Sequence, residues 1–180
     1  TTDNNVQQLE QGFRSVIEES KLNTIYSVYA VNWLAEEAYY AVNEALKLTN
    51  EIDGVLCGND NLATEAVRAL SENRLAGKII VTGQDADLAA CQRIVEGTQT
   101  MTVYKPVDKL AKAAAEYAVK LAKGEKIYAD STIFDGTYNV PFIKLEPIAV
   151  TRENIDEIII DGGFQKKEEV YLNVPYDQEE

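Results

Sequence analysis

The feature that most constrains the fold of this chain is a regular alternation of helix-type and strand-type segments with short connections. From Val6 onward, apolar residues recur at helical spacing, and the Asp and Asn residues before them are suited to capping a helix. The next segment, Thr24–Val31, is rich in β-branched residues and tyrosine, as strands are. The alternation then continues with a helix over about 34–48, a strand over 52–57, a helix from 60 to before Gly77, a strand over 78–82 and a helix over 87–95.

The same alternation runs on with a strand over 100–105 and a long amphipathic helix over 107–123. After Gly124 the pattern changes to short strand-type pieces, at Ser131–Phe134, Phe142–Leu145 and Ile148–Thr151, and the chain ends in an acidic tail. Helices and strands that alternate in this way predict an α/β fold, a doubly wound parallel sheet with helices on both faces and right-handed connections.

Charge and residue usage exclude several classes of function. The formal net charge is −13, from 30 acidic and 17 basic residues, and a field of that sign repels nucleic acid. The chain has no histidine, so it holds no Ser-His or Cys-His catalytic pair and no His-ligated zinc. Its two cysteines, Cys57 and Cys91, fall on apolar stretches, which favours buried free thiols over a disulfide.

Polar residues of one chemical kind follow successive strands of the predicted sheet. In open α/β sheets, ligands bind beyond the carboxyl ends of the strands. The positions just after the four predicted strands are Trp33, Gly58-Asn59-Asp60, Gly83-Gln84-Asp85 and Tyr104-Lys105-Pro106. They offer an aromatic plate, amides, carboxylates and one ammonium, a set that suits a neutral polyhydroxylated ligand such as a sugar.

Each of these residues also has a purely structural interpretation. Asn59 or Asp60 can cap the following helix, and Asp60 is the expected cap. Asp85 and Asp87 are both eligible to cap the next helix. We assign that role to Asp87, which leaves Asp85 for a ligand. In the same way, Trp33 can belong to the core and Lys105 to a solvated loop. It is the coincidence of these residues at four strand ends that indicates a site.

Other chemistries fit less well. Neither a GxGxxG nor a GxxxxGK[ST] phosphate loop is present. Asp60 and Asp85 could in principle form a glycosidase pair, yet their spacing gives no reason for an acid of raised pKa. A response-regulator interpretation of Asp85 with Lys105 lacks the early acidic cluster that such proteins need. We therefore expect no catalytic residue, no enzyme activity, no metal and no cofactor.

Two motifs give the chain a family resemblance. Gly83–Ala89 (GQDADLA) and Gly97–Pro106 (GTQTMTVYKP) resemble the bacterial D-xylose-binding proteins, which belong to the ribose/galactose-type periplasmic binding proteins. The segments Thr2–Asn5, Asn32–Leu34 and Gly58–Asp60 also resemble ligand-contacting parts of that family, and Ile160–Phe164 resembles its closing turn. The likeness covers almost the whole chain but only the C-terminal portion of the family's length.

The resemblance implies a function and a set of contacts. Trp33 would stack on the sugar, Asn59, Asp85 and Lys105 would bond its hydroxyls, and Asn5 and Asp3 would add contacts. The implied protein binds D-xylose outside the cytoplasm, in the periplasm or at the cell surface, and delivers it to a membrane ABC permease. The alternatives are a sensor subunit for a membrane histidine kinase or chemoreceptor and, less in keeping with the acidic charge, a repressor effector domain. No export signal is seen in the chain.

The resemblance also implies a division into lobes. Residues 1–98 and 128–167 are expected to form the C-terminal sugar-binding lobe, and 99–127 to belong to the other, N-terminal lobe. Residues 168–180 would be an acidic tail. The missing N-terminal lobe, or a second copy of the chain, would then be a partner, because two such lobes close on the sugar like a hinged clamp.

Overall fold

The computed structural model describes residues 3–129 and 131–176 and divides the chain into two compact units. The first unit comprises the residues up to Tyr104 and those from Ala149 onward. The second unit is Lys105–Ile148.

The first unit contains a four-stranded sheet in the order β1-β2-β3-β6. Its strands are β1 Gly54–Leu56, β2 Ile80–Gln84, β3 Met101–Tyr104 and β6 Ile148–Thr151. The pairs β1–β2 and β2–β3 are parallel, with Leu56 opposite Thr82 and Gln84 opposite Val103. Because parallel strands are joined by helical crossovers, this register confirms the predicted alternation from the strand at 52–57 to the strand at 100–105.

Helices precede and connect the strands of this sheet. They are α1 Asn4–Glu19, α2 Glu36–Leu48, α3 Asp60–Glu72 and α4 Leu88–Glu96, with a 3₁₀ turn at Val31–Trp33 before α2. The core between them centres on α3, where Ala63, Ala66 and Leu70 are fully buried against Val81 of β2. Apolar residues at helical spacing on α3 thus supply the burial that holds the sheet, as their periodicity predicted.

The segment Thr24–Val31 does not form the strand that its composition predicted. Residues 22–30 have no regular secondary structure, and Ile25, Val28 and Val31 are exposed. A strand is stable only where a neighbouring strand accepts its backbone hydrogen bonds, and in the described residues no strand pairs with this segment. The prediction of a strand here was therefore wrong for this chain, although the side chains are of strand type.

The second unit begins with α5, Val107–Ala122, followed by an antiparallel pair of strands. These strands are β4 Ser131–Phe134 and β5 Asn139–Phe142, in register with Ser131 opposite Phe142. The second of them starts three residues earlier than the predicted piece at 142–145. No residue of α5 is buried, and its apolar positions include Leu110 and Leu121, which are 57% and 64% exposed.

The boundaries of the two units along the chain differ from the predicted lobe boundaries. Strand β3 pairs with β2, which places residues 99–104 with the first unit rather than with 105–127. Residues 128–148 fall in the same unit as α5, and among the described residues β4 and β5 pair only with each other. The assignment of the second unit to another lobe stays a prediction.

The C-terminal part of the first unit packs against α4. After β6 come a π-helical turn, Asp156–Ile160, and a short helix, α6 Lys167–Val170, whose Val170 is buried. The Gln92 side chain donates to the Glu169 carbonyl at 2.9 Å. The predicted acidic tail is thus in part a docked segment, and residues 177–180 lie outside the described residues. Among the described helices, none combines the length and the apolar character needed to cross a membrane.

Both cysteines are buried and unpaired, as predicted. Burial raises the pKa of Cys57 to about 12 and that of Cys91 to about 12. At pH 8 the thiolate fraction is then about a thousandfold below that of an exposed cysteine, so we expect the folded protein to resist thiol reagents. Ellman's reagent should label two thiols per chain in concentrated guanidinium chloride and almost none in native buffer. Rapid labelling of the native protein would contradict the buried placement.

Candidate functional site

The carboxyl ends of β1, β2 and β3 lie side by side. The register that pairs Leu56 with Thr82 and Gln84 with Val103 brings the residues after each strand to one edge of the sheet. Hydrogen bonds from the Cys57 amide to the Thr82 carbonyl and from the Asp85 amide to the Val103 carbonyl extend the ladder to this edge. This is the edge at which open α/β sheets bind ligands.

Trp33 lies at the end of the 3₁₀ turn, half-buried against Gly58, the second residue after β1. A Cβ on Gly58 would lie 3.0 Å from Cζ3 of the indole, so glycine at this position lets the ring approach the backbone beside Asn59. The indole Nε1 donates to Asp3 Oδ2 at 2.9 Å. This bond and the contact with Gly58 fix the orientation of the ring at the edge of the sheet.

Asp3 links the indole to the start of α1. Its Oδ1 accepts from the Asn5 amide at 2.8 Å, which makes Asp3 the N-cap of α1. The hydrogen bonds from Trp33 and from the Asn5 amide lower the pKa of Asp3. Asn5 itself is exposed in the first turn. The structure thus joins Asp3 to Trp33 and gives it a supporting role that the sequence did not reveal.

Asn59, not Asp60, caps α3. The Asn59 Oδ1 accepts from the Leu62 amide at 2.9 Å, so the expectation that Asp60 is the cap was wrong. The two side chains are equally able to cap, and their surroundings decide between them. Since the cap occupies Oδ1, the group that Asn59 can offer a ligand is its Nδ2 donor.

Asp60 is buried, with 1% of its surface exposed, and accepts hydrogen bonds at both carboxylate oxygens. Oδ1 accepts from Gln99 Nε2 at 2.9 Å, and Oδ2 accepts from Thr102 Oγ1 at 2.8 Å and from the Asp87 amide at 3.0 Å. Burial raises the pKa of Asp60, while these three hydrogen bonds oppose the rise. The carboxylate therefore lies inside the fold, beneath the edge on which Asn59 and Asp85 lie.

Sequence reasoning missed Gln99 and Thr102 as partners of this carboxylate. Both are buried polar residues, at 2% and 0% exposure, and Thr102 occupies an inward position of β3. A buried position in a strand would more often hold an aliphatic residue, and that is the signal that could have marked Thr102. Arg93 completes the group by donating from Nε to Gln99 Oε1 at 3.0 Å.

Asp85 lies in a turn of unusual backbone conformation. Its φ is +105° and that of Ala86 is +55°, whereas residues other than glycine seldom adopt positive φ. The Ala86 amide donates to Thr102 Oγ1 at 3.2 Å. Asp87 occupies the N-cap position of α4 as predicted, but no side-chain capping bond is formed at that helix start. A strained, half-buried carboxylate at a ligand-binding edge is typical of a functional residue.

Lys105 opens the second unit, directly after β3, and its side chain is exposed. Of the predicted site residues, Asp3, Asn5 and Trp33 are joined by direct contacts in the first unit. Asn59 is next in sequence to Gly58 beneath the indole, and Asp85 follows the adjacent strand. Within the described parts of the chain, no three acidic or cysteine side chains converge as metal ligands.

The chemistry of the first-unit residues matches one ligand class. An aromatic ring binds the C–H face of a sugar ring, an amide donates, and a carboxylate accepts from hydroxyl groups. Hydrogen bonds to a charged group are among the stronger ones, so Asp85 would orient such a ligand. The arrangement thus suits a neutral polyol with both apolar and hydroxyl-bearing faces.

Comparison with known proteins agrees with this chemistry. A family model described as a periplasmic binding protein domain matches residues 1–126. The D-xylose-binding periplasmic protein of Haemophilus influenzae is 45% identical over 174 residues, which is 94% of this chain and 52% of that protein. The protein of the same description from Escherichia coli is 41% identical over 173 residues, 93% of this chain and 52% of its own length. The chain thus spans about half the length of these curated relatives.

Solved structures share the fold. A carbohydrate transporter solute-binding protein from Chloroflexus aurantiacus, in complex with D-glucose, superimposes with a TM-score of 0.67 at 30% identity. The match covers 77% of this chain and 42% of that one. An ABC transporter solute-binding protein from Clostridium phytofermentans, with bound β-D-glucose, gives a TM-score of 0.70 at 23% identity, over 87% and 52% of the two chains. These matches and the parallel sheet confirm the predicted α/β class.

Proposed function

The chain belongs to the periplasmic binding protein family, and on that premise we propose that it is part of a protein that binds D-xylose and delivers it to an ABC importer. The observation that carries the proposal is the site at the carboxyl edge of the sheet, where an indole held over Gly58 adjoins Asn59. Identity of 45% with a D-xylose-binding relative over nearly the whole chain supports the choice of sugar. The proposed protein binds its ligand without catalysing a reaction.

In the proposed complex each residue has one role. Trp33 stacks on the C–H face of the pyranose, Asn59 donates from Nδ2, and Asp85 accepts from hydroxyl groups. Asn5 adds a contact from the start of α1, and the contact expected of Lys105 stays a prediction. Asp3 acts mainly through the indole, since its Oδ2 already accepts from Trp33.

We further propose that a second lobe covers apolar surface left exposed in these units. Leu56 in β1 is 46% exposed and Ile80 in β2 is 52% exposed, although both lie in strands of the sheet. In the second unit, Leu110 and Leu121 of α5 are also exposed. Apolar side chains that are exposed to this degree usually pack against another part of the protein. The partner is the N-terminal lobe or, failing that, a second copy of the chain, and the second unit belongs to that lobe.

The proposed location is the periplasm or the cell surface, and the proposed membrane partner is an ABC permease. A sensor kinase or chemoreceptor would use the same ligand residues. The solved neighbours support import, because they are described as transporter solute-binding proteins. The acidic net charge of −13 argues against a nucleic-acid partner.

Isothermal titration calorimetry of the natural protein that contains this chain tests the proposal. We expect saturable binding of D-xylose at one site per chain and weaker binding of D-ribose and D-glucose. Each buried polar group that a wrong sugar leaves unpaired costs about 1–3 kcal/mol. These 180 residues alone should bind more weakly, with their oligomeric state checked by light scattering. A folded two-lobed protein that gives no heat with any pentose or hexose would overturn the proposal.

A further inference from the structure

The turn that carries Asp85 is held by an internal chain of hydrogen bonds. The Ala86 amide donates to Thr102 Oγ1, and that hydroxyl donates to Asp60 Oδ2. The next amide, that of Asp87, donates to the same Oδ2 directly. The two backbone amides that follow Asp85 are therefore both held by the buried Asp60 carboxylate, the first through Thr102 and the second directly.

The other oxygen of that carboxylate, Oδ1, is also held by hydrogen bonds. Gln99 Nε2 donates to Asp60 Oδ1, and Arg93 Nε donates to Gln99 Oε1. Arg93 also donates from Nη2 to the Asp60 carbonyl at 3.2 Å. The Arg93 guanidinium can only donate, so the Gln99 amide must turn its Oε1 toward Arg93 and its Nε2 toward Asp60. Asp60 must therefore accept hydrogen bonds at both of its carboxylate oxygens.

The backbone at Asp85 and Ala86 needs such support. Both residues have positive φ without being glycine, a conformation that persists only when the surroundings impose it. The Asp85 amide is bonded to the Val103 carbonyl, so β3 anchors the start of the turn and Asp60 anchors its end.

We propose that Asp60 is a positioning residue that holds the Asp85 side chain in its sugar-binding orientation by fixing the turn from Asp85 to Asp87. The inference rests on the proposed function of Asp85 as a sugar ligand. Asp60 itself is too deeply buried to touch a sugar, and it acts through the Ala86 and Asp87 amides.

The hydrogen-bond polarities define a test with its own rescue. In Asp60→Asn one carboxylate oxygen becomes an NH₂ group, which then faces a donor whichever way the amide turns. The double variant Asp60→Asn with Gln99→Glu restores the bonds among these side chains but loses the bond that Gln99 Nε2 donates to the Met101 carbonyl at 3.1 Å. The amide nitrogen introduced at position 60 donates to the carboxylate introduced at position 99. The amide oxygen at position 60 accepts from Thr102 and the Asp87 amide, and Arg93 keeps an acceptor.

Two readouts are measured on the natural protein: D-xylose affinity by calorimetry, and hydrogen exchange of the Ala86 and Asp87 amides without sugar. Loss of a charged acceptor in Asp60→Asn is expected to weaken binding about tenfold or more and to speed the exchange of both amides by a similar factor. The double variant should recover part of both effects, because it still lacks the bond to the Met101 carbonyl. The matched control Asp53→Asn changes an exposed carboxylate before β1 and should alter neither.

If Asp60→Asn does not fold, Thr102→Val and Thr102→Ser replace it. The valine variant removes the hydroxyl that bonds the Ala86 amide, and the serine variant keeps it, so only valine should weaken binding. Wild-type amide protection and affinity in Asp60→Asn, or in Thr102→Val, would overturn the proposal. If the wild-type protein binds no sugar, the proposed function fails, and the exchange data still decide whether Asp60 fixes the turn.

Discussion

Replacing Asp85 with glycine is expected to abolish detectable D-xylose binding while leaving the fold at least as stable as the wild type. The two effects have different origins. The carboxylate supplies charge-assisted hydrogen bonds to the sugar, each contributing about 1.5–3 kcal/mol. Loss of two such bonds would weaken binding by at least about a hundredfold by the same reckoning.

The stability of this variant follows from the backbone. Asp85 has a φ of +105°, a conformation that costs residues other than glycine about 1–3 kcal/mol. Glycine adopts it without strain but loses more conformational entropy on folding, which offsets about 0.5–1 kcal/mol of the gain. The free energy of unfolding should therefore stay constant or rise slightly.

Calorimetry and urea denaturation of the natural protein measure the two effects. Asp53→Gly is the control, because Asp53 is an exposed aspartate before β1, at the opposite end of the strand from Asn59. It should keep wild-type affinity. Wild-type binding by Asp85→Gly would remove Asp85 from the site, and a clear loss of stability would show that the turn is not strained.

Most elements of the first unit could be predicted from sequence because they depend on local pattern. The apolar stripe of α3 and the strands that flank it need only periodicity and a turn to be recognised. The segment Thr24–Val31 shows the limit of that approach. Its side chains are of strand type, but a strand also needs a neighbour, and none pairs with it in the described residues.

The candidate site was predictable in outline but not in its division of roles. Residues at strand ends follow from the parallel sheet, so Asn59 and Asp85 could be singled out. Which of Asn59 and Asp60 caps α3 depends on Gln99 and Thr102, which are 39 and 42 residues from Asp60 in the chain. No local pattern contains that information, because both side chains are good caps.

A second large effect is expected at Gly83, next to the last residue of β2. A Cβ at this position would overlap Asp60 Oδ1 and lie 2.9 Å from Gln99 Nε2. Gly83→Ala must therefore displace the buried carboxylate from its donors. We expect the free energy of unfolding to fall by about 2–4 kcal/mol, from overpacking together with buried polar groups left unpaired.

Gly54→Ala in β1 is the matched control, since it adds the same methyl group to the same sheet. Its nearest contacts would be atoms of Ile80 at 3.7 Å, an ordinary van der Waals distance. We expect its stability to stay within about 0.5 kcal/mol of the wild type. Urea denaturation of both variants measures the difference, and similar costs at the two glycines would contradict the assigned clash.

A double-mutant cycle with Asp60→Ala identifies the atom responsible. If the Asp60 carboxylate is what opposes a methyl group at residue 83, Gly83→Ala should cost much less once that carboxylate is gone. The coupling energy should then reach about 1–3 kcal/mol, the range seen for residues in direct contact. Additive costs would mean that the Gly83 backbone itself, and not the space taken by Asp60, requires glycine. Because Asp60 also fixes the turn at Asp85, strong coupling would mean that the absence of a side chain at Gly83 preserves the hydrogen bonds on which the proposed sugar site depends.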